Sequence, residues 1–294
     1  MFNHGWITEF AKNLFVTNAW YATVVLFIGL AERRWPAGEQ PRKSDICFNF
    51  ANAFLAALLL AIALRPMASI HAFLKSHGLA GVLVGNWSPE TLAEIILAAV
   101  LYALVYDFFL YWVHRAQHHT KYLWSAHALH HDDRRVNSST ALRNTFWHGL
   151  INSIAVHIPT YILCGSGLVV FYASMLLFST YGFFNHANIK LDMGVFTKIL
   201  SGPAWHRVHH GRPIDYYDKN FAAFFPFYDI IFGTYKAPDP EAAYTTGISQ
   251  RPQAAGGLLS LLLAMFGFSA DKPVKKNEAP EEQKNWQPGV DSNR

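Results

Sequence analysis

The sequence predicts an all-α integral membrane bundle of about four transmembrane helices with a cytoplasmic helical cap. Three observations predict it. Of 294 residues, 52% are hydrophobic and only 15% charged, where a soluble domain carries about a quarter charged residues. Mean hydropathy is positive. Apolar stretches near the ~20 residues that cross a bilayer core recur along the chain.

The first apolar segment runs from Val16 to Ala31, the second from Ile46 to Leu64, and the third from Leu92 to Val113. A fourth apolar region, 147–184, is broken by His157-Ile-Pro159 and by Cys164-Gly-Ser-Gly167. It reads as two helices with a tight bend, either two spans or a helical hairpin. The opening MFNHGWITEFAKN lacks a basic n-region and a small-residue cleavage site, so the first apolar segment is expected to stay in the mature protein. The bundle is expected to occupy residues 1–255. Residues 256–270 suit a short interfacial or packed helix, and the charged tail 271–294 suits disorder.

Basic residues set the expected orientation. The loop at 32–45, ERRWPAGEQPRKSD, carries Arg33, Arg34, Arg42 and Lys43. The connection at 65–90 has only Arg65 and Lys75, while Arg115, Lys121, Arg134, Arg135 and Arg143 follow the third segment. The positive-inside rule then makes the 32–45 loop and the chain after Val113 cytoplasmic. The net charge of +4, with no basic patch interleaved with aromatics, gives no case for nucleic acid. Cys47 and Cys164 sit in apolar stretches and read as buried small hydrophobes. Without a CxxC pair they build no metal knuckle, iron–sulfur site or disulfide scaffold.

The histidines carry the chemistry. Nine of fifteen fall in two windows: His114, His118, His119, His127, His130 and His131, then His206, His209 and His210. His4, His71 and His77 are isolated and read as ordinary packed residues. His114 and His118 are i, i+4 and share a helix face. In HALHH (127–131) and HRVHH (206–210), positions i, i+3 and i+4 fall within roughly a 100° arc of a helix, so three imidazoles enter one volume. Gly202-Pro203 before HRVHH, with Gly211 and Pro213 after it, mark a helix of two to three turns. An even number of crossings in 147–184 puts both pentads on one face.

Neutral imidazoles suit zinc, copper, iron or nickel. Eight or more are too many for one ion, and two metals are the simplest accounting. The Glu-x-x-His of soluble di-iron bundles and the HExxH of zinc proteases are both absent. Surface histidines without metal, a zinc hydrolase and a metal transporter are the competing readings. A transporter ordinarily sets ionisable groups near mid-bilayer, and here they lie beyond the spans.

The boxes HRAQH (114–118), HALHH and HRVHH, placed after hydrophobic segments, resemble those of the sterol desaturase and fatty acid hydroxylase superfamily of membrane di-iron oxygenases. HHDDRRVNSSTALRNTFWH and WHRVHHGRPIDYYDKNFAAFFPFYDIIFGTY are similar to its bacterial branch, the one near the alkylglycerol monooxygenases. The resemblance covers about residues 90–236. It implies two Fe ions, with zinc an alternative occupant in purified protein, and O2 as co-substrate. It implies hydroxylation or desaturation of a lipid drawn from the bilayer, in the inner membrane of a bacterium with the site on the cytoplasmic face. It also implies a further ligand at the end of the apolar hairpin, where His186 in FFNHANI fits. The implied ligand set is His114, His118, His127, His130, His131, His186, His206, His209 and His210. Some members carry another histidine where this chain has Gly182. His119 is expected outside the ligand shell as readily as inside it.

Electrons are expected from a separate donor such as a ferredoxin, or cytochrome b5 with a reductase, because the chain has neither a dinucleotide-binding GxGxxG nor a cysteine cluster. Arg115, Lys121, Arg134, Arg135 and Arg207 suit docking of an acidic donor, and equally the positive-inside bias. Asp107, two turns before His114, is expected to accept a hydrogen bond from a ligand imidazole. His148 and His157 lie in the hairpin with roles left open. Asp132, Asp133, Asn137, Asp218 and Asn220 suit support of the ligands or capping.

Overall fold

The computed structural model describes residues 4–83, 89–165, 168–239, 245–247, 262–263 and 266–267. It is helical, with no strand among the described residues beyond isolated bridges between Pro36 and Ile189 and between Gly211 and Thr246. Among the described residues three helices are long and apolar enough to cross a membrane. They are α1 (His4–Arg34), α2 (Lys43–Ala63) and α4 (Leu92–His119), with a short α3 (Met67–Ser76) between the last two. On α1, Phe15, Val16, Leu26, Phe27 and Leu30 are each more than half exposed. In water that face would be costly, and against lipid tails it is favourable. Cys47 is also exposed on α2. The expected burial fails there because the outer face of a membrane helix needs no protein core to hold an apolar side chain.

Helix α4 is the axis of the site. Thr91 caps it through a reciprocal pair: the Thr91 hydroxyl accepts from the Glu94 amide at 3.3 Å, and the Glu94 carboxylate accepts from the Thr91 amide at 2.9 Å. Its inward face buries Tyr102, Ala103, Tyr106, Asp107, Tyr111 and His114. The helix continues past Val113 to His119, so His114 and His118 project from one rigid rod. Thr120, extended at φ −116° and ψ 130°, is the lone residue between α4 and α5 (Lys121–His131). That abrupt turn folds α5 back so that its imidazoles meet those at the end of α4.

The interrupted apolar region forms α6 (Phe146–Asn152), a π-helical turn (Ser153–His157), α7 (Ile158–Cys164) and α8 (Leu168–Asn185). Pro159 has no amide to donate and its ring crowds the preceding turn. The wide π turn before it absorbs that misfit. Gly165 ends α7 at φ +49°, and a Cβ there would lie 2.9 Å from the Gly81 Cα, so only glycine fits. Val82 and Leu83 bring their amides to the Ile162 and Leu163 carbonyls at 3.0 and 2.8 Å, satisfying the exposed end of α7.

HRVHH sits on α9 (Pro203–His209), with Gly202 at the N-cap and Pro203 in the first turn. A short α10 (Phe227–Ile231) follows. The tail 271–294 lies outside the described residues, as does the segment 256–270 except at 262–263 and 266–267. There Phe266 packs at a tilt on Phe146, ring centres 5.9 Å apart.

Candidate metal centre

The end of α4, α5, the end of α8 and α9 converge, and the imidazoles meet in two adjacent groups. His114, His118, His127, His131 and His209 form one, and His130, His186, His206 and His210 the other. Within each group the candidate ligand atoms all lie within 4.8 Å of one another. The two groups hold the same nine histidines that the family resemblance implies as ligands. The two pentads are shared between the groups: His127 and His131 serve the first and His130 the second, while His209 serves the first and His206 and His210 the second. Neither pentad therefore makes a site by itself.

The proton positions support metal binding. His114 Nδ1 donates to the Phe221 carbonyl at 2.7 Å, His186 Nδ1 to the Gly182 carbonyl at 2.7 Å, and His209 Nδ1 to the Lys219 carbonyl at 2.8 Å. A neutral imidazole has one N–H, so each of these Nε2 atoms presents a lone pair. His114 Nε2 nevertheless lies 2.9 Å from His127 Nε2, and His186 Nε2 lies 3.0 Å from both His130 Nε2 and His206 Nε2. His209 Nε2 is buried with no protein partner. In each pair the His114 or His186 nitrogen is an acceptor, and a cation held between the two nitrogens satisfies both when the partner imidazole carries its proton on Nδ1. Nitrogens about 2.1 Å from an ion stand about 3.0 Å apart at right angles and about 3.4 Å apart in a tetrahedron. The 2.9 and 3.0 Å spacings are close enough for both nitrogens of each pair to hold one ion.

Electrostatics keep the ligands ready. Burial lowers the pKa of His127, His130, His131, His206, His209 and His210 well below the ordinary imidazole value, and repulsion from neighbouring imidazoles adds to it. His186 is lowered to about 4, again mainly by burial. All are neutral near pH 7, the form that binds metal.

Buried carboxylates hold the surrounding backbone, and here the expectation for Asp107 is corrected. It does not touch an imidazole. Asp107 accepts the amides of Ala223, Phe224 and Phe225 at 2.7, 3.0 and 2.7 Å. Three backbone donors satisfy a buried carboxylate more fully than one imidazole N–H would. Asp229 takes the amides of Phe221 and Ala222 at 2.7 and 2.9 Å and the Thr234 hydroxyl at 2.6 Å. Glu32 accepts from Ser138 at 2.7 Å and Asn188 at 2.9 Å, joining the end of α1 to loops on either side of the site. Asp229 and Glu32 were not singled out in the sequence. The signal available for both was an acid set against an apolar run.

His119 is exposed and lies outside both groups. His157 packs on Tyr106, ring centres 5.1 Å apart, away from the ligands. His148 is at the edge of the centre, its Nδ1 3.3 Å from His127 Nδ1. Asp133 accepts from the Arg135 amide and the Thr140 hydroxyl, Asn137 caps the 3₁₀ turn at Ser138–Leu142, and Asn220 bonds Trp205 and Lys236, so these three shape loops. Asp132 pairs with Arg143 at 3.5 Å, and Asp218 lies 3.7 Å from His118 Nδ1. Arg207 is corrected as a docking residue: it is buried and donates to the Ala187 carbonyl and Asn188 side chain. Arg135 is held by Glu39 and Asp45.

Residues 99–234 match the family model described as fatty acid hydroxylase. This is the family expected from the three boxes. The chain is 35% identical over 145 residues to human alkylglycerol monooxygenase, covering 47% of this chain and 30% of that protein. It is 29% identical over 175 residues to the ornithine lipid hydroxylase OlsE of Rhizobium tropici, covering 60% of this chain and 52% of that protein. The chain thus spans about a third of the first relative and about half of the second. No solved structure matches.

A cavity of about 290 Å³ opens beside both groups, lined by His114, His127, His130, His186 and His206 on one side. Tyr21, Leu110, Leu142, Phe178, Phe183 and Phe224 supply much of the remaining lining, with the polar Asn144, Ser179 and Asn185 among them. The centre therefore faces a largely apolar chamber between α1, α4 and α8.

Proposed function

We propose that this chain is a membrane-bound di-iron oxidoreductase that uses O2 and external electrons to hydroxylate or desaturate an aliphatic C–H bond of a lipid. The observation that carries the reading is an all-nitrogen centre divided five and four, opening on an apolar chamber. A mononuclear zinc hydrolase takes three protein ligands and keeps an open position, which would leave most of the nine imidazoles unused.

Two iron ions, when bound, supply the reduction of O2 that makes an unactivated C–H bond reactive. In a hydroxylation one oxygen atom enters the lipid and the other leaves as water, consuming two electrons and two protons. The protein holds His114, His186 and His209 in one tautomer through backbone carbonyls. It keeps the imidazoles neutral by burial, and Leu110, Phe178 and Phe183 pack an alkyl segment against the centre and exclude water. The electrons come from a separate donor, a ferredoxin or cytochrome b5 with its reductase. In this reading the region 147–184 completes a bundle of about four spans, and the histidines lie on the cytoplasmic side of a bacterial inner membrane.

The test is ¹⁸O2 supplied to the iron-loaded full chain in lipid nanodiscs with a reductant. The expected result is an ¹⁸O-labelled hydroxyl lipid, or an alkene formed with O2 uptake, absent from a His209→Ala variant. Lipid cleavage without O2 uptake would overturn the reading in favour of hydrolysis.

A further inference from the structure

We infer that His148 is a positioning residue for the five-histidine group: it accepts the outer proton of His127 and is itself fixed by Asn152. The inference rests on the dimetal reading of the histidines and not on the lipid chemistry.

The protons can be assigned in order. His127 Nε2 lies 2.9 Å from His114 Nε2 and 3.1 Å from His131 Nε2, inside the ligand group. A metal-binding Nε2 offers its lone pair, so the His127 proton is on Nδ1. His127 Nδ1 faces His148 Nδ1 at 3.3 Å, with the ring planes within 20° of each other. His148 Nδ1 must therefore accept, and the His148 proton is on Nε2. That nitrogen is 2.9 Å from the Nδ2 end of the Asn152 carboxamide, whose Oδ1 is buried without a partner. Half a turn about the Asn152 Cβ–Cγ bond exchanges two nearly isosteric ends and sets Oδ1 against the His148 proton. Either orientation leaves one end of the amide unpaired, and only this one matches the donor. Gln117, fully buried on α4, brings its side-chain amide to 3.2 Å from the same His148 Nδ1, whose single lone pair is then shared with the His127 proton.

His114, His186 and His209 turn their outer nitrogens to backbone carbonyls. His127 turns to a side chain on α6, just before the π turn at Ser153–His157. Groups that orient a ligand imidazole from outside change metal affinity by roughly 10–100-fold when lost.

The experiment is Co(II) titration of the full-length protein in detergent, read by absorption and by bound cobalt per chain, with circular dichroism as the check on fold. Wild-type protein is expected to take up two Co(II) tightly. His148→Leu should weaken one of the two by roughly 10–100-fold and leave the other unchanged. His148→Gln, which restores an acceptor toward His127, should return it to within a few-fold of wild type. Asn152→Asp, which can only accept at His148 Nε2, should keep both sites tight. His148→Leu with two wild-type affinities, or His148→Gln as weak as His148→Leu, overturns the assignment. Loss of cobalt in Asn152→Asp overturns the proton order. Fewer than two Co(II) on the wild-type chain refutes the dimetal reading itself, whereas two tight Co(II) without lipid oxidation refutes the proposed function alone.

Discussion

His114 Nδ1 lies 2.7 Å from the Phe221 carbonyl oxygen, and the Ala222 amide of that same peptide is held in turn by Asp229 at 2.9 Å. A carboxylate on α10 thus fixes the peptide that fixes an imidazole on α4. Asp229→Ala leaves the buried amides of Phe221 and Ala222 without an acceptor, at about 1–3 kcal/mol for each unpaired donor. Unfolding in detergent should show that loss, and the five-histidine group should bind metal more weakly. A variant with wild-type unfolding temperature and metal content would show that the 221–222 peptides need no clamp.

The division of the pentads predicts that their histidines are not equivalent. His206→Ala should weaken the four-histidine group and His209→Ala the five-histidine group, each lowering bound metal from two ions per chain to about one. Metal analysis of the two variants checks this. Retention of both ions in either variant contradicts the grouping.

Gly182 lines the chamber, and a Cβ built there meets only the Ala141 Cβ at 4.0 Å. Gly182→Leu should therefore fold and keep its metal, because His186 bonds the Gly182 backbone carbonyl and not a side chain. The new side chain occupies space assigned to substrate. Turnover of a long-chain lipid should fall by about tenfold or more, the scale of a misplaced methylene in an apolar pocket. Unchanged kcat and KM would place the substrate elsewhere.

Burial holds His186 at a pKa of about 4 and other ligands well below their ordinary value, while the unfolded chain titrates near 6.5. Between those limits the unfolded chain holds more protons. Chelator-treated protein should therefore lose stability as pH falls from about 6.5 toward 4, with no further gain above 6.5. Bound metal occupies the same lone pairs and should flatten that dependence. Unfolding temperature against pH, with and without chelator, gives the answer. Identical curves for the two forms would contradict metal binding at these imidazoles.

The candidate ligands were legible because coordination demands one residue type at helical spacing, so His127, His130 and His131 announce themselves within five residues. Hydropathy marked the first three spans for the same local reason. The supports were not legible, because they join distant segments: Asp107 to residues 223–225, and Glu32 to Ser138 and Asn188. A carboxylate that accepts backbone amides leaves no residue-type signature at its partner, and Asp107 was accordingly assigned to an imidazole. The sequence marked Pro159 as a break, but the π turn that accommodates it depends on the packing of α6 and α7 against α4. Arg207 suits donor docking in the sequence only as a basic residue near a histidine box, and the folded chain shows it buried against Ala187 and Asn188.

The most direct measurement of the central claim is iron per chain after anaerobic loading of the full-length protein with Fe(II), by elemental analysis against quantified protein. The account predicts two. One iron or none, under conditions where the protein is folded, would contradict it.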